Sequence, residues 1–260
     1  MAIVVSVANQ KGGVGKTTTA VNLATALAAI GKRALLIDLD PQGNATTGLG
    51  VYSSAINTSY DLLVRGITLS ESIICTKIPG LSLIPASIDL IGAEIELVQI
   101  NDRENILRNS IEPYVSMFDY IIMDSPPSMG ILTLNALVAA DGVLIPLQCE
   151  YYALEGLSYL LSSIARVKST SNPKLQIFGV VLTMFDKRSA LCLSVVNDAK
   201  QHLKKIVFDS IIPRNVKISE APSHGKPVLL HDVRSSGSKA YMMLAREFLA
   251  RERNGIWNKN

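Results

Sequence analysis

The chain has 260 residues, of which 48% are hydrophobic and 18% charged, and its formal net charge is +3. This composition excludes a disordered chain, and the length suits one large α/β domain with a substantial buried core. No uninterrupted apolar run reaches the ~18 residues of a membrane-spanning helix, and the first residues carry no secretory signal, so we expect a cytoplasmic protein.

Short, nearly continuous apolar runs alternate with helical patterns along the chain. This alternation predicts an α/β fold with a doubly wound, mostly parallel sheet and helices on both faces. We expect one domain over residues 1–251, followed by a polar tail, 252–260, that frays. The predicted strands are 3–7, 34–37, 81–84, 120–123, 142–147 and 178–182, and the predicted helices are 16–30, 105–114, 132–140, 153–167, 191–203 and 238–250.

The first predicted strand and helix are joined by a glycine-rich turn, in which Lys11, Gly12, Gly13, Val14, Gly15, Lys16, Thr17 and Thr18 follow one another. Such a turn leaves backbone N–H groups free at the positive end of a helix, and that arrangement binds phosphate. In this pattern Lys16 contacts the β- and γ-phosphates and the Thr17 hydroxyl ligates Mg²⁺. The turn therefore predicts a nucleotide site.

The turn departs from the standard phosphate loop at its start. The motif requires glycine where this chain has Gln10, and a second lysine, Lys11, comes next. One triphosphate does not need two lysines from the same loop. Lys11 either reaches a phosphate held by another subunit or is an ordinary solvated lysine, and the loop alone does not decide between these interpretations.

Aspartates follow two of the predicted strands. Asp38 and Asp40 are two residues apart, so both can point into one site if the strand continues, although the string Asp-Pro-Gln-Gly also favours a turn. We expect Asp40 to orient the attacking water and Asp38 to support the Mg²⁺ shell. Asp124 ends another apolar run and is expected to hold Mg²⁺ through a water. Because ligands bind at the carboxyl ends of parallel strands, these residues should converge on the glycine-rich turn.

The C-terminal part of the chain is basic. Residues 186–260 contain fourteen Lys and Arg but seven Asp and Glu, so the rest of the chain is net acidic. An anionic partner in addition to the nucleotide is one explanation. On charge alone, an ordinary solvated surface is the simpler one.

Five strings together resemble the ParA/Soj family of partitioning ATPases, which are P-loop NTPases with a deviant Walker A motif. They are NQKGGVGKTT (9–18), DLDPQGNATTGLG (38–50), DSPPS (124–128), QCEYYALEGL (148–157) and IIPRNVKISEAPSHGKPV (211–228). The resemblance implies a Mg²⁺-dependent ATPase with slow turnover, which binds ATP and ADP and forms a homodimer with ATP. It implies that Lys11 crosses to the partner's nucleotide, that the two loops pack closely at Gly12, that Asp40 serves hydrolysis, and that Pro213 and Asn215 contact adenine.

The same resemblance implies that the dimer binds double-stranded DNA without sequence preference, so that the protein is nucleoid-associated. A ParB-type centromere-binding protein is then expected to stimulate hydrolysis and release the dimer. Since such DNA binding depends on clustered positive charge, we favour it over a solvated face. The matching basic residues are Lys187, Arg188, Arg214, Lys217 and Arg234, with Lys200, Lys204 and Lys205 as weaker candidates. The first predicted strand begins so early that an N-terminal operator-binding domain is not expected.

Three alternatives stay open. A MinD-like ATPase would be recruited to membranes by a terminal amphipathic helix, but the pattern at 241–248 is more typical of a helix packed on the domain. An electron carrier or metal-insertion factor would use cysteine pairs, and Cys75, Cys149 and Cys192 have no metal-ligand or redox spacing, so we expect them to be unpaired thiols. A nucleotide-binding scaffold with negligible hydrolysis is the third, although the presence of Asp40 favours real turnover.

Overall fold

The computed structural model describes residues 1–52, 56–151 and 153–255. Within these ranges seven strands form one sheet: β1 (Ile3–Val7), β2 (Ala34–Asp38), β3 (Ile74–Cys75), β4 (Leu81–Ile84), β5 (Tyr120–Asp124), β6 (Gly142–Gln148) and β7 (Gln176–Thr183). Their order across the sheet is β3-β4-β2-β5-β1-β6-β7. Neighbouring strands are parallel except β3, which pairs antiparallel with β4. The predicted fold class is confirmed.

Helices connect the strands and cover both faces of the sheet. The described α-helices are α1 (Lys16–Ala29), α2 (Asn44–Gly48), α3 (Ser59–Val64), α4 (Leu69–Ser72), α5 (Leu90–Glu96), α6 (Ile106–Ile111), α7 (Ile131–Ala139), α8 (Ala153–Thr170), α9 (Ala190–Leu203), α10 (Val216–Glu220), α11 (Val228–His231) and α12 (Ser236–Arg253). Short 3₁₀ turns occupy Leu97–Gln99, Arg103–Asn105, Glu112–Met117, Lys204–Ile206 and Ala221–His224. Among the described residues, no helix combines the length and the apolar character needed to cross a bilayer.

The core lies on both sides of the sheet because successive strand residues point to opposite faces. In β2, Leu35 and Ile37 join the cluster under α3, α6, α7 and α8, whereas Leu36 joins the cluster under α1 and α12. All five residues of β2 are buried. A strand covered on both faces has no need for polar alternation, which explains the continuous apolar runs of the sequence.

The predicted strands all exist, with small differences at their ends. β2 and β5 extend one residue further than predicted, so that Asp38 and Asp124 are the last residues of their strands. The predicted helix over 105–114 is α6 followed by a 3₁₀ turn, since Pro113 stands at the start of that turn. β3 was not predicted, because two residues are too few to show a pattern.

The last helix, α12, packs on the domain as predicted. The Phe248 ring of this helix packs edge-to-face against the Tyr120 ring, with centroids 5.9 Å apart. The helix continues to Arg253, and Glu252 accepts a hydrogen bond from the Tyr120 hydroxyl. The helix thus ends two residues beyond the domain boundary predicted at 251, and the domain boundary itself stays a prediction. Of the tail expected to fray, residues 256–260 lie outside the described residues.

Candidate active site

The glycine-rich turn connects the carboxyl end of β1 to the first residue of α1. Gly13 and Gly15 have φ angles of 76° and 89°, in the left-handed region that favours glycine. Around Gly12, by contrast, a Cβ would meet no atom of its own chain within 4 Å. Any steric demand for glycine at position 12 would therefore have to come from another molecule, as close packing of two loops would require.

Hydrogen bonds to β6 and β7 hold the turn in place. The Thr183 hydroxyl donates to the Val14 carbonyl at 2.8 Å, and the Asn9 amide donates to the Pro146 carbonyl at 2.7 Å. The Asn9 oxygen also accepts from the Lys11 N–H at 3.0 Å. Neither Asn9 nor Thr183 was predicted to hold the turn. No local sequence pattern could have indicated the role of Thr183, because 169 residues of chain separate it from Val14.

Lys16 is the buried cation of the site. Lys16 is only 7% exposed, and its Nζ donates a hydrogen bond to the Lys11 carbonyl at 3.0 Å. Burial lowers the pKa of Lys16, while the carboxylates of Asp124 and Asp40 act to raise it. These electrostatic neighbours show that the predicted convergence of lysine and aspartates occurs.

Asp124 has a fully buried carboxyl group, and neither of its oxygens makes a hydrogen bond of ordinary geometry among the described residues, although the Thr17 hydroxyl is close enough to lower the pKa of this carboxyl. Burial raises the pKa of Asp124 well above its usual range, and the charge of Asp38 adds to this effect. Asp38 and Asp124 lie side by side in the sheet, because they are register partners on the neighbouring strands β2 and β5. A buried carboxylate with so little hydrogen bonding is costly, so these oxygens fit a ligand that the chain itself does not supply, such as a hydrated cation.

Asp38 has a different environment. Its oxygens accept from the Thr46 N–H at 2.8 Å, the Thr46 hydroxyl at 2.7 Å and the Asp40 N–H at 3.2 Å. Burial nevertheless raises the pKa of Asp38 to about 6. Asp38 thus fastens α2 to the end of β2, whereas Asp124 has far fewer hydrogen-bond donors among the described residues. The contribution of Asp38 to a Mg²⁺ shell stays a prediction.

Asp40 lies just beyond β2 and is 8% exposed. One of its oxygens accepts from the Gln42 N–H at 3.0 Å, which is the turn that Asp-Pro-Gln-Gly predicted. The turn and the functional interpretation are therefore compatible, since the carboxylate also interacts with Lys16.

Lys11 forms an ion pair that the sequence did not indicate. Its Nζ lies 2.9 Å from Glu150 Oε2, and both side chains are half exposed. Glu150 follows β6 and also accepts from the Gln148 amide. A pair this exposed contributes at most about 1 kcal/mol, so a competing phosphate can displace Glu150.

A cavity of about 410 Å³ opens beside the turn. The two residues expected to contact adenine, Pro213 and Asn215, both line it, together with Gly15, Thr18 and Tyr241. The Asn215 side chain is held from two sides, because it accepts from the Lys217 N–H at 2.9 Å and donates to Ser236 Oγ at 2.7 Å. The cavity is of a size that suits a planar base.

The predicted DNA-binding residues form two separate groups. Lys187 and Arg188 follow β7, and Arg214 joins them because its N–H donates to the Phe185 carbonyl at 2.9 Å. Asp186 binds Arg188 through two hydrogen bonds, of 3.0 and 2.8 Å, and Glu220 lies 2.9 Å from Lys217. The weaker candidates instead line a groove beside Ile177 and Phe178, at the other end of β7; they are Lys200, Lys204 and Lys205. Since β7 has eight residues, about 20 Å of strand separates the two ends.

The structure brings two of the cysteines together. The Cys192 thiol donates to the Cys149 carbonyl at 3.3 Å, and both residues are buried without a disulfide. Burial raises the pKa of the Cys149 thiol to about 12, so it is protonated and unreactive. Among the described residues, no group of three or more His, Cys, Asp or Glu is arranged to hold a metal ion.

The burial of Asp124 makes a testable prediction about the protein without nucleotide or metal. The folded-state pKa of Asp124 lies above the ordinary value of 3.8, so the folded state retains its proton longer and stability falls as the pH rises from 3.8 towards the raised pKa. We expect Asp124→Asn to raise the melting temperature in EDTA at pH 7.5 by at least about 2–4 °C, the shift produced by 1 kcal/mol in a domain of this size.

The gain should vanish at pH 4, where the wild-type carboxyl is already protonated in the folded state. Asp102→Asn is the matched control, because Asp102 is exposed. Differential scanning calorimetry at both pH values measures the effect. A lower melting temperature for Asp124→Asn at pH 7.5 would contradict the interpretation of Asp124 as a buried charge with little hydrogen bonding.

Comparisons with known proteins agree with this site. A family model described as "AAA domain" matches residues 2–177. The chain is 52% identical to the chromosome partitioning protein ParA of Caulobacter vibrioides, over 96% of this chain and 95% of the relative. It is 50% identical to the chromosome-partitioning ATPase Soj of Treponema pallidum, over 94% of this chain and 96% of the relative.

A solved structure is similar over nearly the whole chain. It is the cobyrinic acid a,c-diamide synthase of Mycobacterium smegmatis with bound ADP and magnesium, with a TM-score of 0.86, 36% identity, and coverage of 98% of this chain and 97% of that one. The same protein was also crystallised with an ATP analogue and magnesium. The likeness confirms the P-loop NTPase fold, whereas the relatives of higher identity carry the partition names. By its near full-length identity to them, the chain belongs to the ParA/Soj family of chromosome-partitioning ATPases.

Proposed function

We propose that this partitioning ATPase binds ATP with Mg²⁺, closes with it into a two-fold dimer, binds DNA without sequence preference in that state, and is released by hydrolysis. The observation that carries the proposal is the buried carboxylate of Asp124 beside the Lys16 cation and the glycine-rich turn, whose oxygens make no hydrogen bond of ordinary geometry within the described part of the chain. An ATP-binding relative with ADP and magnesium at 36% identity supports the choice of ligand.

The residues present fit a magnesium nucleotide. The N–H groups of the turn and Lys16 would hold the phosphates, Thr17 and Asp124 would hold Mg²⁺, and the cavity lined by Pro213 and Asn215 would take the base. When bound, Mg²⁺ neutralises charge on the phosphates. The ion would also relieve the desolvation of Asp124, so that nucleotide binding stabilises the fold.

Hydrolysis is assigned to Asp40. Its carboxylate interacts with Lys16 at the edge of the sheet, where it can accept a hydrogen bond from the attacking water and orient it. In phosphoryl transfer the protein contributes mainly placement and charge compensation, so one misplaced carboxylate is enough to slow the reaction. Slow turnover in the absence of a partner protein is part of the proposal.

Dimerisation is assigned to Lys11. Its half-exposed side chain can leave Glu150 for the phosphates of a second subunit, and the open space around Gly12 permits that approach. A γ-phosphate then draws two copies together, because each copy supplies a cation to the other's nucleotide. In the monomer, the Lys11 side chain is paired with Glu150 instead.

DNA binding is assigned to the basic group at the carboxyl end of β7, which is Lys187, Arg188 and Arg214, together with Lys217 and Arg234. Dimerisation doubles this patch, so the effective concentration of one half for DNA rises once the other is bound. DNA affinity thereby depends on the nucleotide. A ParB-type centromere-binding protein that stimulates hydrolysis would reset the cycle, and the protein would be found on the nucleoid.

Retention on DNA in three nucleotide states tests the proposal. We expect retention with ATP and with a non-hydrolysable analogue but none with ADP, because only a triphosphate closes the dimer. For 6–10 phosphate contacts, raising the salt from 50 to 200 mM should weaken binding by about 10³–10⁵-fold. Surface plasmon resonance on a non-specific duplex measures both effects. Equal retention in the three states would remove the nucleotide switch.

Two charge-reversal variants sharpen the same experiment. Lys187→Glu/Arg234→Glu should abolish retention, because these residues belong to the proposed patch. Lys204→Glu/Lys205→Glu changes the charge equally at the opposite end of β7 and should retain most binding. The reverse order of effects would move the DNA surface to the far end of the sheet.

A further inference from the structure

Helix α5 and the turn after it present two apolar faces. Leu90, Ala93 and Leu97 are fully buried in the core. The opposite side carries an isoleucine stripe whose members are 50–74% exposed, spaced 3, 4 and 3 residues apart so that they share one helical face: Ile88, Ile91, Ile95 and Val98.

An exposed apolar stripe on this scale is unusual for a surface helix. Such helices normally turn a polar face to water, and contiguous exposed apolar surface marks a site of interaction. Within the described part of the chain, no element covers the isoleucine stripe. The apolar contacts that hold the helix on the domain come from its inner face, so the stripe residues add little to the stability of the domain.

The surroundings of the isoleucine stripe are acidic. Residues 88–104 contain five acidic residues and one basic residue, Arg103; the acidic ones are Asp89, Glu94, Glu96, Asp102 and Glu104. In a symmetric contact between two copies, the acidic rim of one copy would face the acidic rim of the other, and the like charges would repel. Charge complementarity therefore favours an occupant that combines an apolar face with lysine or arginine.

Helix α5 and the segment just before it contact the loops that follow both acidic strand ends of the active site. On one side, the Ala86 N–H donates to the Thr46 hydroxyl at 2.9 Å, and that hydroxyl donates to Asp38. On the other side, Glu94 lies so close to Gly130 that an added Cβ would be 2.1 Å from its Oε1, and Gly130 ends the loop that follows Asp124. A ligand that shifts α5 therefore acts on the two loops that carry the carboxylates.

We propose that the isoleucine stripe is the docking site for a basic amphipathic segment of a partner protein. The apolar face of the segment covers the stripe, and its cationic residues pair with the acidic rim. The identity of the partner rests on the proposed function: it is the protein that stimulates hydrolysis. Helix α5 transmits its binding to the loops that follow Asp38 and Asp124.

A designed peptide tests the docking site directly. The probe is an 18-residue labelled peptide with leucines at i, i+3, i+4 and i+7 spacing and lysines elsewhere, and its control has the same composition in shuffled order. Fluorescence anisotropy with the full chain should show binding of the amphipathic peptide only. We expect Ile91→Glu/Ile95→Glu to weaken that binding at least tenfold.

Met243→Glu is the matched control, because Met243 is 59% exposed on α12 and should leave peptide affinity unchanged. Equal affinity of the peptide for the stripe variant and the wild type would overturn the proposal. Loss of ATP-driven dimerisation in the stripe variant would also overturn it, by assigning the stripe to a second copy. ATP-dependent DNA retention of the wild type is measured in parallel, and its absence would refute the proposed function without affecting the peptide result.

Discussion

Lys16→Ala is expected to abolish ATP-driven dimerisation and ATP-dependent DNA retention together. Lys16 supplies the buried positive charge that acts on Asp40 and Asp124, and without it the phosphates would meet uncompensated carboxylates. Removing one partner of a buried charge interaction costs about 2–5 kcal/mol. At the middle of that range, ATP affinity should fall by a few hundredfold. Titration with a fluorescent ATP analogue measures this loss, and light scattering measures the dimer.

Two lysine variants serve as controls for that result. Lys174→Ala removes an exposed lysine at the far end of the sheet and should change nothing. Lys11→Ala should keep ATP binding by the monomer while losing the dimer, since the Lys11 side chain is half exposed and pairs only with Glu150 among the described residues. ATP-dependent dimers of Lys16→Ala would count against the assignment of the phosphate cation.

Asp40→Ala is expected to stop hydrolysis while ATP-dependent DNA binding persists. Loss of a group that positions the nucleophile typically lowers the rate by about 10²–10⁴-fold. The triphosphate state should then accumulate, so the variant should stay on DNA longer than the wild type. Phosphate release under multiple turnover gives the rate, and dissociation from immobilised DNA gives the residence time.

The control for Asp40→Ala must remove a carboxylate without touching the site. Asp89→Ala does so, because Asp89 is exposed ahead of α5. Asp38→Ala is a poor control, since it would take away three hydrogen bonds that fasten α2. Full ATPase activity in Asp40→Ala would show that another group orients the water.

The strands and the phosphate loop could be predicted because their signals are local. A strand buried on both faces is a continuous apolar run, and β1 and β4 were predicted with their observed bounds. The last residue of a strand is harder to predict from an apolar pattern, because Asp38 and Asp124 are polar and yet are the last residues of β2 and β5. Their carboxylates converge with Lys16, as parallel strands require.

The sequence alone thus determined the doubly wound sheet, the phosphate-binding turn and the aspartates at its edge, because each depends on neighbours within a few residues. Only the tertiary structure decided which aspartate accepts several hydrogen bonds and which accepts few, that Glu150 holds Lys11, and that the basic residues divide between the two ends of β7. It also left the outer face of α5 exposed among the residues that the structure describes. These properties depend on atoms brought together across as many as 139 residues of chain, and no local pattern records such distances.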